Sequence, residues 1–332
     1  MPRLSKALLI GEVVQAVYES GWNVLHLSGA RDHPAILRVY NEIEGYTIRV
    51  YIWNLTHGGG SARPTDEYRI QVTGVDRFRQ PAGELTLVLG WWEDVGVFAA
   101  FDYNKHSGAL GFSPSMQIKE ENLRKAEING FSAHDKGNGE IAIALRPDFF
   151  VEYVANLRQL HQLGTSRGAV QAAEKVASGE IAVNNAEVRR LPRERQTVIA
   201  QVSKKLRESS FTRRVLTAYG FRCAFTGIHL KLSDAAHILP VKIAGSTDET
   251  SNGIALSPSY HRAYDRGLVT LDEEYRVIIS EERMEQLKEA GLDGGKFKFT
   301  RALRPMIIVP PALSDRPNVT FVTESNRLRG WK

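Results

Sequence analysis

Four polar residues in the last third of the chain have types and spacings that could do chemistry: His237, Asn252, His261 and Asp265. His237 lies in the run DAAHILPVK (234–242), directly behind two alanines. An unperturbed imidazole titrates near 6.5, so in its neutral form it suits taking a proton from water at physiological pH (about 7). His261 and Asp265 are four residues apart. On a helix that spacing puts both on one face. An imidazole and a carboxylate on one face suit a divalent cation and leave coordination positions for water or substrate. The blander alternatives are a core histidine at 237 and a surface ion pair at 261/265, the latter worth under about 1 kcal/mol. Three separated groups in register favour the chemical reading.

The elements needed to hold these residues are legible nearby. Ser257 is a good helix N-cap, Pro258 suits the first helical position, and Gly267 is a natural stop. The spacing predicts one short helix over Pro258–Arg266. GIAL before it and AAHIL before that read as short strands. The local unit is therefore strand, loop, strand, helix.

In three blocks, FTRRVLTAYGFRCAFTG, AAHILP and NGIALSPSYHRAYDRGLVTLD, the chain resembles the HNH nucleases, whose compact core is called ββα-metal. The branch it looks like is that of bacterial restriction-type enzymes, and the resemblance covers about residues 211–280. It implies that His237 is the general base and that His261 and Asp265 hold one divalent metal, Mg²⁺ with Mn²⁺ accepted. It also implies that Asn252 ties the loop that aims His237, and that hydrolysis leaves a 5′-phosphate. Two departures stand out. Many HNH proteins carry a metal ligand immediately before the base, where this chain has Ala236. Asp234 is set aside as a substitute, because strand alternation puts 234 and 237 on opposite faces. Many relatives also hold a structural zinc on two cysteine pairs. The corresponding positions here are Cys223/Thr226 and Ser257/Tyr260, and one thiolate cannot make a four-cysteine site. No structural zinc is expected, with packing of Phe211, Val215, Leu216 and Tyr219 stabilising the unit instead.

Over the whole chain, 332 residues suggest two domains. The expected class is α+β: a β-rich sheet or partial barrel at 1–165, a basic helical linker at 166–205, and the nuclease unit with a C-terminal wrap at 206–332. RVYIWNL, EYRIQVTG, LTLVLGWW and VGVFAAFD read as strands, and Lys119–Ala126 and Pro147–Leu163 as helices. Residues 1–165 hold 16 Lys+Arg against 19 Asp+Glu, and residues 166–332 hold 27 against 19. A polyanion would be drawn to the second half. Candidate DNA contacts are Arg262 and Arg266 beside the metal helix, Lys204, Lys205 and Arg207 in the basic stretch, and Arg63 and Arg69 in the first domain. The loop His57–Ser61, with three glycines, could cradle a phosphate, though such loops are more often merely flexible. Of Trp91 and Trp92, an exposed one could stack on a base, with core packing the commoner fate.

One cysteine excludes an intramolecular disulfide and fits a reducing cytoplasm. No apolar run is long enough to span a bilayer, and residues 1–22 read as an amphipathic helix rather than a signal peptide. The leading expectation is a metal-dependent DNA endonuclease, a restriction or defence enzyme whose first domain recognises specific or modified double-stranded DNA. Cleavage of both strands by one centre per chain would be served by a homodimer. Competing readings are a ligand-gated nonspecific nuclease and, prompted by Ala236, a non-catalytic DNA-binding protein with a degenerate HNH fold.

Overall fold

A computed structural model describes residues 3–29, 31–57 and 64–331, and the chain divides into two compact units, 1–206 and 207–332. In the first unit the helices are α1 (Lys6–Glu19), α2 (Glu120–Asn129), α3 (Phe150–Ala155), α4 (Leu157–Gln162), α5 (Arg167–Ala177), α6 (Ala186–Arg189) and α7 (Arg193–Ala218), the last running past the division. The strands are β1 (Asn23–His26), β2 (Ala35–Tyr40), β3 (Gly45–Asn54), β4 (Thr56–His57), β5 (Glu67–Gln71), β6 (Glu84–Trp92), β7 (Val97–Phe101), β8 (Ser115–Lys119), β9 (Phe131–Asp135) and β10 (Ile141–Leu145).

Seven of these form one open sheet in the order β1-β2-β3-β6-β7-β10-β9, and β4-β5-β8 form a second, three-stranded sheet. The pair β3–β6 is parallel and the other described pairs are antiparallel. The central strands are buried on both faces, which is why they read as continuous apolar runs rather than as alternation. One face packs Ile48, Val50, Ile52, Leu87, Leu89 and Trp91 against α1, α3 and α5. The other packs Tyr51, Trp53, Val88, Trp92, Val97 and Ala99 against the small sheet and α2. Trp91 and Trp92 therefore belong to different cores, and both are buried, so neither offers a base-stacking surface.

Two sequence expectations differ in detail. The helix read over Pro147–Leu163 is broken: a 3₁₀ turn at Pro147–Phe149, then α3 and α4, which meet at Asn156 with φ −113° and ψ 20°. Residues 166–205, expected as a basic helical linker, supply Ala169, Val170, Ala172, Ala173, Val176, Val188, Val198, Ile199 and Val202 to the first core. Their small apolar side chains close against the sheet rather than floating between units. Arg63 and most of the His57–Ser61 loop lie outside the described residues.

The second unit continues with β11 (Asp234–His237), β12 (Gly253–Leu256), α8 (Pro258–Asp265), β13 (Val269–Leu271), β14 (Val277–Ile279), α9 (Glu281–Glu289), α10 (Lys296–Arg301) and α11 (Val319–Leu328). β11 and β12 pair antiparallel, with Ala236 opposite Ile254 and His237 opposite Gly253. Their core holds Phe211 and Val215 from α7, Tyr219 just after it, Cys223 to Phe225, Ala236, Ile238, Ile254 to Leu256, and Tyr260, Ala263 and Tyr264 from α8. Val322 of α11 packs in the same core. No helix among the described residues is long and apolar enough to cross a membrane.

Candidate active site

The four chemically suggestive residues fall on one hairpin and one helix. Two-residue alternation along β11 sorts its side chains between two neighbours. Ala235 and His237 turn towards α7, where the His237 ring stacks on Phe211 with centroids 3.8 Å apart and planes 9° apart. Asp234 and Ala236 turn towards α8. Ala236 is buried, so its small size serves packing under α8 rather than open space beside His237.

His237 is part-exposed, and its Nε2 is 3.1 Å from Asp248 Oδ1 in the loop that follows. That loop is latched by Asn252, which is fully buried. Its Oδ1 accepts from the Leu239 N–H, and its Nδ2 donates to Leu239 O, Ser246 Oγ and Thr247 O at 2.8–3.1 Å. Its backbone carbonyl also accepts from the Ile238 N–H. One amide thus joins the end of β11 to the far side of the loop.

On α8, His261 and Asp265 do share a face. Asp265 Oδ2 is 3.5 Å from His261 Nε2. Two donor atoms that far apart can both reach one cation at about 2.1–2.2 Å, so this pair fits a divalent ion. Asp234, set aside on strand alternation, comes to the opposite ring nitrogen, 3.8 Å from Nδ1. Its carboxylate is the largest cause raising the His261 pKa; burial opposes it and Asp265 adds to it. Because Asp234 and Asp265 flank different nitrogens, the three side chains do not converge on one point, and no group of three metal-ligating side chains is found among the described residues. Asp234 sits where a carboxylate can orient a ligating histidine through its other nitrogen. The signal for it was available: position 234 is two residues from 236, on the same strand face, not three from 237.

Arg329, just after α11, completes the rim. Its Nη1 donates to Ile238 O at 3.0 Å, and its Nη2 lies 3.6 Å from Asp265 Oδ1. The guanidinium also covers the Tyr264 ring at 4.4 Å. Nothing local in the sequence linked Arg329 to this site; only folding of the tail brings it there. The last-strand-to-helix corner differs from expectation in one respect. Ser257 is the N-cap residue of α8, but its hydroxyl makes no cap bond and instead donates to Cys223 Sγ at 3.6 Å. Around Cys223, Tyr260 stacks on Phe299, so side chains other than thiolates fill that corner.

Of the candidate DNA contacts, Arg262 is exposed on α8 and Arg266 at its C-cap, and Lys204 and Arg207 are exposed on α7 with Lys205 half-buried. Arg69 is half-buried in β5 opposite Thr56. Arg69, Lys204 and Lys205 belong to the first unit, and Arg207, Arg262 and Arg266 to the second.

Compared with known proteins, residues 46–154 match a family model described as Methylase-associated X1. No curated protein sequence matches the chain. Among solved structures, one described as "Modification dependent TagI restriction endonuclease" is similar over 85% of this chain and 81% of that one, with 13% identity and a TM-score of 0.30. Residues 223–272, which span the hairpin and α8, match the family model described as HNH endonuclease, and the chain thus carries an HNH endonuclease domain.

Proposed function

We propose that this protein is a restriction-type DNA endonuclease in which the 207–332 unit hydrolyses the phosphodiester bond and the first unit recognises specific or modified DNA. The observation that carries the hydrolytic reading is the placement, on one hairpin and helix, of a clamped imidazole at 237 and a His261–Asp265 pair with a 3.5 Å bite. His237 accepts the proton of the attacking water. His261 and Asp265 would hold a divalent ion, Mg²⁺ with Mn²⁺ as a substitute. That ion, when bound, supplies charge neutralisation at the scissile phosphate and at the leaving 3′ oxygen. Asn252 keeps the loop closed so that His237 stays aimed. Arg262, Arg266 and Arg207, with Lys204 and Lys205, contribute phosphate contacts, and Arg69 contributes to the first unit's DNA surface.

The selective role of the first unit is supported by its match to a family model named for association with methylases, since a nuclease that works beside a methylase must tell modified from plain DNA. A homodimer would let two centres cut opposite strands. The test is cleavage of plain, methylated and hydroxymethylated plasmid in Mg²⁺, Mn²⁺ or EDTA. Cleavage that differs between modified and plain plasmid, abolished by EDTA and by His237→Ala, is expected. Equal cutting by wild type and His237→Ala would end the assignment of this site, and indifference to modification would end the selective reading.

A further inference from the structure

We propose that Asp248 is the positioning carboxylate of His237, fixing which ring nitrogen faces the water. The inference rests on His237 acting as the general base. Asp248 Oδ1 lies 3.1 Å from His237 Nε2, a hydrogen-bond distance, and a carboxylate can only accept there. The proton of the neutral ring is therefore on Nε2, and Nδ1 keeps the lone pair. In the reaction Nδ1 takes a proton from water as the water oxygen bonds to phosphorus and the 3′ oxygen leaves. The imidazolium that forms is stabilised by the carboxylate already at Nε2, the logic by which a buried aspartate serves a catalytic histidine elsewhere.

Three further contacts hold this geometry. Phe211 stacks on the ring face and removes its freedom to rotate out of plane. Arg214, one turn along α7, donates from Nη2 to the Asp248 backbone carbonyl at 2.6 Å. Asn252 binds the Thr247 carbonyl, next to Asp248 in the chain, at 2.8 Å. The loop is thus tied on both sides of the carboxylate, although the Asp248 side chain itself is 41% exposed and the His237 side chain 21%. A carboxylate tethered so closely at its backbone, yet left reachable, has little packing role to explain it.

The experiment uses the full chain labelled with ¹⁵N-histidine, with His237 assigned by comparison with His237→Gln. Two-bond ¹⁵N–¹H correlation should show the Nε2–H tautomer in wild type and a mixture in Asp248→Ala. In Asp248→Asn the side-chain amide can donate to Nε2 and should favour the reverse tautomer. Plasmid cleavage should lose about 10- to 100-fold in kcat in Asp248→Ala, as for loss of other outer partners of a reacting histidine, with KM changed by less than about twofold. An unchanged tautomer in Asp248→Ala, or a kcat equal to wild type, would overturn the proposal while leaving His237 as base. Full activity in His237→Gln would overturn the base assignment and the proposal with it.

Discussion

At the scale of single residues, the proposed site is a set of pairs in which each group assigned a chemical role has a second side chain at its back. His237 has Asp248, His261 has Asp234, and Asp265 has Arg329. Asp234→Asn should leave the fold intact, because residue 234 is exposed, but should loosen the His261 ring. We expect Mn²⁺ binding without DNA, measured by calorimetry, to weaken about 10- to 100-fold. An unchanged affinity would show that Asp234 does not orient the ring. Asn252 is different, because its four side-chain hydrogen bonds are made in a fully buried position. Asn252→Ala strands the Leu239 N–H and the Thr247 carbonyl, while Leu239 O keeps its bond from Ser246 Oγ, and should cost about 2–4 kcal/mol in urea unfolding. A midpoint equal to wild type would mean water replaces the latch.

At the scale of elements, the hairpin β11–β12 works only because α7 can approach it. Gly253 lies opposite His237, and a Cβ there would come 2.2 Å from Val215 Cγ2 and 3.1 Å from Phe211 Cζ. Its backbone is ordinary extended chain, so the requirement is space and not conformation. Gly253→Ala should push α7 from the hairpin, costing about 1–3 kcal/mol, and should shift the Phe211 ring off His237. Adding Val215→Ala should recover part of the stability if the clash is the cause; strictly additive losses would refute that account. The short helix α8 was readable from Ser257, Pro258 and Gly267, and it ends at Asp265 with Gly267 at φ +65°. What the cap residues could not tell is that the Ser257 hydroxyl turns to Cys223 instead of the helix end. The β-rich half was readable as strands because β-branched and aromatic runs persist there. Its pairing order was not readable, since neither the parallel β3–β6 neighbourhood nor the second sheet is encoded by any local pattern.

At the scale of the whole molecule, the chain forms two units, each with core clusters of its own, and the division falls inside α7 at 206/207. A fragment 207–332 keeps Phe211, Val215 and Tyr219 with their partners and should unfold cooperatively by itself. A fragment beginning at 166 would carry Ala169, Val170, Ala173 and Val176 without the sheet that buries them, and should aggregate. The reverse behaviour would show that the cores are not independent. The first unit also holds the acid-sensitive groups. Burial pushes the His33 and His161 pKa values down to about 4, with the Lys6 charge adding to the effect at His33. Both are neutral when folded, and His33 Nε2 accepts from the Ile52 N–H. The unfolded chain takes up those protons near its ordinary histidine value of about 6.5, so stability falls as pH drops below that value and the loss levels off near 4. Thermal unfolding between pH 7 and 4 should show the first unit melting earlier as pH falls, and His33→Gln should flatten that slope. An unchanged slope in that variant would assign the acid response elsewhere.

The sequence alone determined the local unit, because helix caps, strand runs and the intervals among His237, Asn252, His261 and Asp265 are short-range properties written in adjacent residues. It also determined the α+β class, through apolar runs and turn residues. Only tertiary structure decided that Asp248 and Phe211 hold His237, that Asp234 serves His261, and that Arg329 closes on Asp265 from the far end of the chain. Those contacts depend on which strand face meets which helix and on where a loop and a tail return. Such placements are set by packing across the whole unit, and no stretch of neighbouring residues specifies them.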